Sequence, residues 1–174
     1  MEEQNKLARR AKRGDVEAFG LLYRDIYQDL YRFALYTLGN PTDAQDVVSD
    51  TVVDAFASIR KLRSEEAFRG WIFRILSNKC KRRFGSISGH TAELTEEVLL
   101  HAAVDHSMDE KAEHLLVREL FWKLEEEERL ILAMHLFAGY TSREIAKHLQ
   151  MNENTVRSRE SRALKRMRKQ LEGT

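Results

Sequence analysis

Apolar residues in this 174-residue chain recur three and four positions apart instead of alternating, and Pro41 is its only proline. That period belongs to helices buried on one face, and it predicts an all-α fold without strands. Asp15 is placed to cap a first long helix with a core face of Phe19, Leu22, Tyr23, Ile26, Leu30, Phe33 and Thr37, ended by Gly39 with Pro41 just beyond. A second helix is expected over 42–62. A third, capped by Ser64 and carrying Phe68, Trp71, Ile72, Ile75 and Leu76, is expected to stop at Gly85.

From Gly85 to about Asp109 the chain turns to Gly, Ser, His, Thr and acids, which predicts a linker with one weak helix at Glu96 to Ala102. Helical periodicity then resumes over 113–124, 126–137, 142–149 and 153–171. Two helical domains joined by an acidic linker are therefore expected, with boundaries at 1–85, 86–112 and 113–174.

The net charge of +1 conceals a block pattern. Arg69 to Arg83 holds six bases and no acid, Glu93 to Glu128 twelve acids against three bases, and Gln150 to Thr174 seven bases against three acids. Two basic blocks separated by an acidic one point to two polyanion contacts joined by a segment that avoids nucleic acid. Glu125 to Glu128 read as a solvated helix start, where acids favour the dipole.

Other classes lack their signatures. No apolar run approaches the ~18 residues of a membrane span, and the first residues lack a signal-peptide stretch, so a cytoplasmic protein without membrane insertion is expected. Cys80, the only cysteine, can form neither an internal disulfide nor a cysteine zinc site, and reads as a packed residue. The six histidines do not cluster at ligand spacing, and no phosphate loop, nucleophile elbow or H-E-x-x-H is present. No metal, cofactor or catalytic role is expected.

Three constellations carry chemistry. Thr141 and Glu144 form a T-x-x-E capping box ahead of Ile145, Ala146 and Leu149, and Asn152 can cap the next helix: the outline of a helix-turn-helix. On that second helix Val156, Ala163, Leu164, Met167 and Leu171 fall on one arc of the helical wheel. Arg157, Arg159, Arg162, Lys165, Arg166, Arg168 and Lys169 occupy the rest, a composition suited to a major groove.

Asp43, Asp46, Asp50 and Asp54 share a second stripe, opposite Val48, Val52, Ala55, Phe56 and Ile59. Four carboxylates so placed repel one another by a few tenths of a kcal/mol per pair, which suggests a basic partner surface or a solvated face. Phe68 to Phe84 interleaves aromatics with bases, the combination that holds single-stranded nucleic acid. At helical spacing Phe68, Trp71 and Ile75 are more often core residues, so Arg74, Asn78 and Lys81 are the better candidates for contact.

Over about Asp15 to Gln170 these motifs resemble the extracytoplasmic-function sigma factors, two-domain promoter-recognition subunits of bacterial RNA polymerase. Asp43-Ala44-Gln45-Asp46 through Phe56 resembles the segment that grips the polymerase clamp helices, which implies polymerase contacts at Asp43, Asp46, Ser49 and Asp50. Phe68 to Arg83 resembles the segment that captures and opens the minus 10 element. The resemblance implies roles there for Trp71, Arg74 and Asn78, with Lys61, Arg63, Ser64 and Glu65 in the loop that accepts a flipped base. Thr155 to Arg159 with Ser161-Arg162-Ala163 resembles the minus 35 reader, which implicates Asn154, Thr155, Arg157, Ser158, Ser161 and Arg162.

The partners implied are core RNA polymerase, through its clamp helices and flap, promoter DNA, and an anti-sigma factor of the kind relatives commonly have. The linker would thread toward the RNA exit channel, its acidity mimicking RNA. Four positions depart from the family pattern: Ser49 for Gln, Gln150 for Gly, His135 for Arg, and Glu160 for an apolar residue. Two rival readings, a stand-alone helix-turn-helix regulator and a protein-binding helical adaptor, leave either the acidic stripe or the basic blocks without a use.

Overall fold

The computed structural model describes residues 2–87 and 116–172, the side chains of 85–87 excepted, and every regular element among them is helical. α1 (Glu2–Lys12) precedes α2 (Val16–Leu38), α3 (Pro41–Ser58), two 3₁₀ turns (Ile59–Lys61 and Glu65–Ala67) and α4 (Phe68–Ile87). After the gap come α5 (described over 116–122), α6 (Glu126–Leu136), α7 (Ser142–Leu149) and α8 (Glu153–Glu172). The expected weak helix at Glu96 to Ala102 and the linker boundaries lie outside the described residues.

α2 is the central pillar. Asp15 Oδ1 accepts from the Ala18 amide at 3.0 Å, and Gly39 closes the helix in the left-handed region at φ 74°, so both expected caps are present. Ala18, Phe19, Leu22, Ile26, Leu30, Phe33 and Thr37 form its buried stripe, and each large apolar side chain so buried contributes about 1.5–3 kcal/mol. Phe33 meets Phe73 of α4 edge to face at 5.6 Å, which locks the two helices at mid-height. Cys80 lies fully buried in the same core, and burial pushes its thiol pKa far up, in keeping with a packed, inert residue.

Several expectations are corrected. α1 was not anticipated; it covers the bundle end through Leu7, Ala8 and Ala11. α3 starts at Pro41, with Asn40 as its cap (Asp43 N to Asn40 Oδ1, 3.1 Å), and passes into a 3₁₀ turn at Ile59. Ser64 precedes the second 3₁₀ turn and makes no side-chain cap bond. α4 runs through Gly85 to Ile87, because a helical glycine costs only ~1 kcal/mol and does not force a stop. Phe56 is 40% exposed, and Leu164 and Leu171 are similarly open, so the buried stripe of α8 narrows to Val156, Ala163 and Met167. Glu128 is buried, unlike its three acidic predecessors, and takes an ion pair from Arg166.

Leu120, Phe121, Leu124, Leu132, Ala163 and Met167 make a second core under α5, α6 and α8. The main core does not stop at α4. It continues through Leu130, Ile131, Ala133 and Met134 of α6 and Ile145, Ala146 and Leu149 of α7 to Val156 of α8.

Candidate nucleic-acid interface

Local chemistry builds the helix-turn-helix. Glu144 Oε2 accepts from both the amide and the hydroxyl of Thr141 at 2.8 Å, while Thr141 Oγ1 accepts from the Glu144 amide at 3.3 Å. These bonds to the ionised form hold the Glu144 carboxyl below its ordinary pKa. Gln150 ends α7 at φ 58°, the left-handed position where glycine is the easier residue, and is the only non-glycine with positive φ among the described residues. Asn152 Oδ1 then accepts from the Asn154 amide at 2.8 Å and starts α8.

With Val156, Ala163 and Met167 turned inward, α8 leaves Asn154, Arg157, Ser158, Ser161 and Arg162 exposed and Thr155 half-buried, all near its N-terminal half. Arg157 is braced by Glu153 at 2.6 Å, and Glu153 also faces Arg143 at 3.8 Å. Arg162 donates back to the Ser158 carbonyl at 3.3 Å.

Two other bases of the helix have structural work. Arg159 pairs with Glu127 and Arg166 with Glu128, so both tie α8 to the start of α6. The two departures His135 and Glu160 prove to be neighbours, with Nδ1 and Oε1 3.6 Å apart. Periodicity placed all seven bases on the open side of the helix; these tethers depend on acids more than thirty residues away.

A second basic surface lies on α4. Arg74, Asn78 and Lys81 are exposed, and Trp71 is half-buried against Phe68 with ring centroids 6.2 Å apart. In the preceding loop Lys61, Arg63 and Ser64 are exposed, whereas Glu65 is drawn to Lys12 of α1 at 3.3 Å. Its pKa is lowered by its own backbone amide first and by Lys12 next. A small cleft opens between α1, α2 and this loop, lined by Gln4, Asn5, Leu22, Glu65, Phe68 and Arg69.

Not all of the basic block faces solvent. Lys79 pairs with Asp54 at 2.6 Å, and Arg83 reaches Asp43 through Nε at 3.1 Å and Asp46 at 3.8 Å. The repulsion inherent in the α3 stripe is thus relieved from within the bundle. Ser49, Asp46 and Asp50 stay exposed; Asp43 is the inward member, its side chain 19% exposed.

The arrangement gives a groove-sized basic helix, a basic and aromatic face remote from it in sequence, and a separate acidic face. No His, Cys, Asp and Glu grouping fit for a metal occurs among the described residues, and none of their helices is long and apolar enough to cross a membrane.

Comparison with known proteins matches a family model to each half of the chain. The model for sigma-70 region 2 matches residues 22–88, and that for sigma-70, region 4, matches 120–169. The chain is 32% identical to the RNA polymerase sigma factor NccH of Alcaligenes xylosoxydans xylosoxydans, over 90% of this chain and 88% of that one. It is 25% identical to the ECF RNA polymerase sigma factor SigX of Bacillus subtilis (strain 168), over 90% and 84%. Among solved structures, CnrH in complex with the cytosolic domain of CnrY is 26% identical and covers 98% of each chain, with a TM-score of 0.68. The fold is also that of the sigma factor RpoE in complex with the anti-sigma factor NepR from Bartonella quintana, at 22% identity over 90% of this chain and 98% of that one, with a TM-score of 0.68.

Proposed function

Because the chain belongs to the sigma-70 family, in its extracytoplasmic-function group, we infer that its two nucleic-acid faces read a single promoter on behalf of RNA polymerase. The protein is a sigma factor: it binds core polymerase and directs promoter recognition, opening at minus 10 and initiation. Its domains are assigned as region 2 over 1–85, a linker over 86–112 and region 4 over 113–174. It acts in the cytoplasm, and its role is binding, not catalysis.

The observation that carries the site assignment is the exposure of Arg157, Ser158, Ser161 and Arg162 on one side of a capped, groove-sized helix. These residues, with Asn154 and Thr155, are assigned to the minus 35 element; arginine forks suit guanine edges and phosphates. Arg74 and Asn78, with Trp71, are assigned to the minus 10 strand, and Lys61, Arg63, Ser64 and Glu65 to the loop that accepts its flipped base. Extruding a base costs a few kcal/mol, which a pocket and a basic track can offset. Asp43, Asp46, Ser49 and Asp50 are assigned to core polymerase, and tethering both domains through that large partner raises their joint affinity for DNA.

Two similar structures hold their protein in a complex, one of them with an anti-sigma factor; a regulator of that kind is the further partner assigned here. Co-elution with purified core polymerase in gel filtration tests the reading. A shifted peak is expected, and a chain eluting alone at micromolar concentration sinks it.

A further inference from the structure

α8 is seated on a narrow apolar support. Val156, Ala163 and Met167 are its buried residues, whereas Leu164 and Leu171, on the same arc, stay open. Apolar contact is non-directional, so a stripe of three side chains, one of them an alanine, holds the helix against its neighbours without fixing its rotation.

Charged ties supply the rotation. At ~100° per residue, Arg159 and Arg166 lie to one side of the buried stripe and Glu160 to the other. Arg159 pairs with Glu127 and Arg166 with Glu128, both in the first turn of α6. Glu160, its side chain 16% exposed, faces His135 in the last turn of α6, with Oε1 3.6 Å from Nδ1. The helix is thus held from both flanks by opposite ends of one neighbour.

The ties are unequal, and Glu128 is the anchor. Its side chain is 6% exposed, and the carboxylate oxygen that meets Arg166 also accepts from the Glu125 amide at 3.3 Å, closing the cap of α6. A carboxylate so buried requires its cation, which commits Arg166 to the fold instead of to phosphate. Glu127 and His135 are more open, so their pairs are screened and contribute less.

Rotation decides what α8 can read. Arg157, Ser158, Ser161 and Arg162 are exposed on the side away from the stripe. With side-chain tips ~6 Å from the axis, a turn of ~20° moves each by ~2 Å. A hydrogen bond forms over a range of only ~0.5 Å, so that displacement breaks a two-pronged contact to a base edge. General attraction to phosphates survives it.

We propose that Glu128 is a positioning residue for promoter reading. Acting through Arg166, and assisted by the Glu127–Arg159 and His135–Glu160 contacts, it sets the rotation of α8 and so selects the base edges that Arg157 and Arg162 meet. The proposal rests on the sigma-factor reading and on the assignment of α8 to the minus 35 element. It adds specificity determinants that do not touch DNA.

The test is selection of promoter fragments, randomised over the minus 35 element, by core polymerase carrying the full chain, read by sequencing the bound fragments. Two variants are compared with the parent. Glu128→Gln with Arg166→Met removes the buried pair at nearly constant volume, and Glu127→Ala with Glu160→Ala removes the open tie on each flank. Urea unfolding establishes that each is folded, and the second pair serves if the first is not. The parent is expected to enrich one defined class of sequences. The first pair is expected to lose about tenfold in that enrichment, the scale of one misplaced arginine fork, and the second about threefold. Selection at minus 10 is expected to be unchanged in both, as is the salt dependence of binding in the first pair, which leaves net charge as it was. Folded variants that select as the parent does overturn the proposal. So does an equal loss on every fragment with a shallower salt dependence, which makes Arg166 a phosphate contact. A parent that fails to bind polymerase removes the sigma-factor reading, and one that binds but selects nothing at minus 35 removes the assignment of α8; either takes the proposal with it before any variant is compared.

Discussion

Arg83 of α4 reaches across the bundle to Asp43 of α3, its Nε 3.1 Å from Oδ1, and so commits the most inward acid of the α3 stripe to the chain's own structure. Asp46 and Asp50, one and two turns further on, remain open to solvent.

The stripe therefore divides by role. Reversing Asp46 and Asp50 to Lys is expected to leave the unfolding midpoint within about 0.5 kcal/mol of the parent and to lower affinity for core polymerase at least tenfold. Asp43→Ala is expected to reduce stability as well, since it removes the nearer of the two carboxylates that Arg83 reaches. Urea titration and gel-filtration binding separate the two effects; a D46K/D50K protein that binds as well as the parent removes these residues from the interface.

Arg157→Ala with Arg162→Ala is expected to abolish dependence on the minus 35 element. Each arginine fork contributes about 1–3 kcal/mol of base discrimination, so recognition falls by roughly five- to 150-fold per residue. Core polymerase binding is expected to be unchanged, because both side chains are exposed on α8 and remote in sequence from α3. Loss of polymerase binding in a folded double variant contradicts the domain assignment.

Gln150 holds a left-handed backbone at φ 58° that glycine adopts without a side-chain penalty. Gln150→Gly is expected to stabilise the protein by about 1 kcal/mol in denaturant unfolding. Thr141→Ala, which breaks the reciprocal cap with Glu144, is expected to destabilise it by about 1 kcal/mol. Opposite signs from two positions nine residues apart would confirm that the short helix and its turn set the pose of α8.

His148 carries a pH signature. It is half-buried opposite Ser77, and burial first, then Arg74 and Lys81 of α4, depress its pKa. The folded state thus prefers the neutral ring, while the unfolded chain takes up a proton near the ordinary ~6.5. Its contribution to stability is fully present above that pH and is lost progressively as pH falls below it. The midpoint of thermal unfolding is expected to drop from pH 7.5 to 5.5, and to drop less in His148→Gln. Equal slopes would exclude His148 as the cause.

What was legible in the sequence was local. The Thr141 and Glu144 pair, Asp15, Gly39 and the helical period each act within a few residues, and the structure has all of them as read. α1 was missed because three small or apolar positions, Leu7, Ala8 and Ala11, give too narrow a stripe to stand out. Leu164 and Leu171 fall in the apolar arc of α8, yet burial depends on how wide a surface the neighbouring helices offer, which periodicity does not encode. Glu128 read as one of four solvated acids until Arg166, thirty-eight residues on, accounted for its burial. The hydrogen bond from Tyr140 to the Gly70 carbonyl left no local trace, since each residue is unremarkable within its own segment.

The measurement closest to the central claim is run-off transcription with purified core polymerase, this chain, and promoter fragments in which the minus 35 and minus 10 elements are altered separately. Defined transcripts that require the added chain, with Arg157→Ala/Arg162→Ala losing only the minus 35 dependence and Arg74→Ala/Asn78→Ala only the minus 10 dependence, are the predicted result. Tight binding to promoter DNA without polymerase, with no transcript started, would contradict it and make the protein a stand-alone regulator.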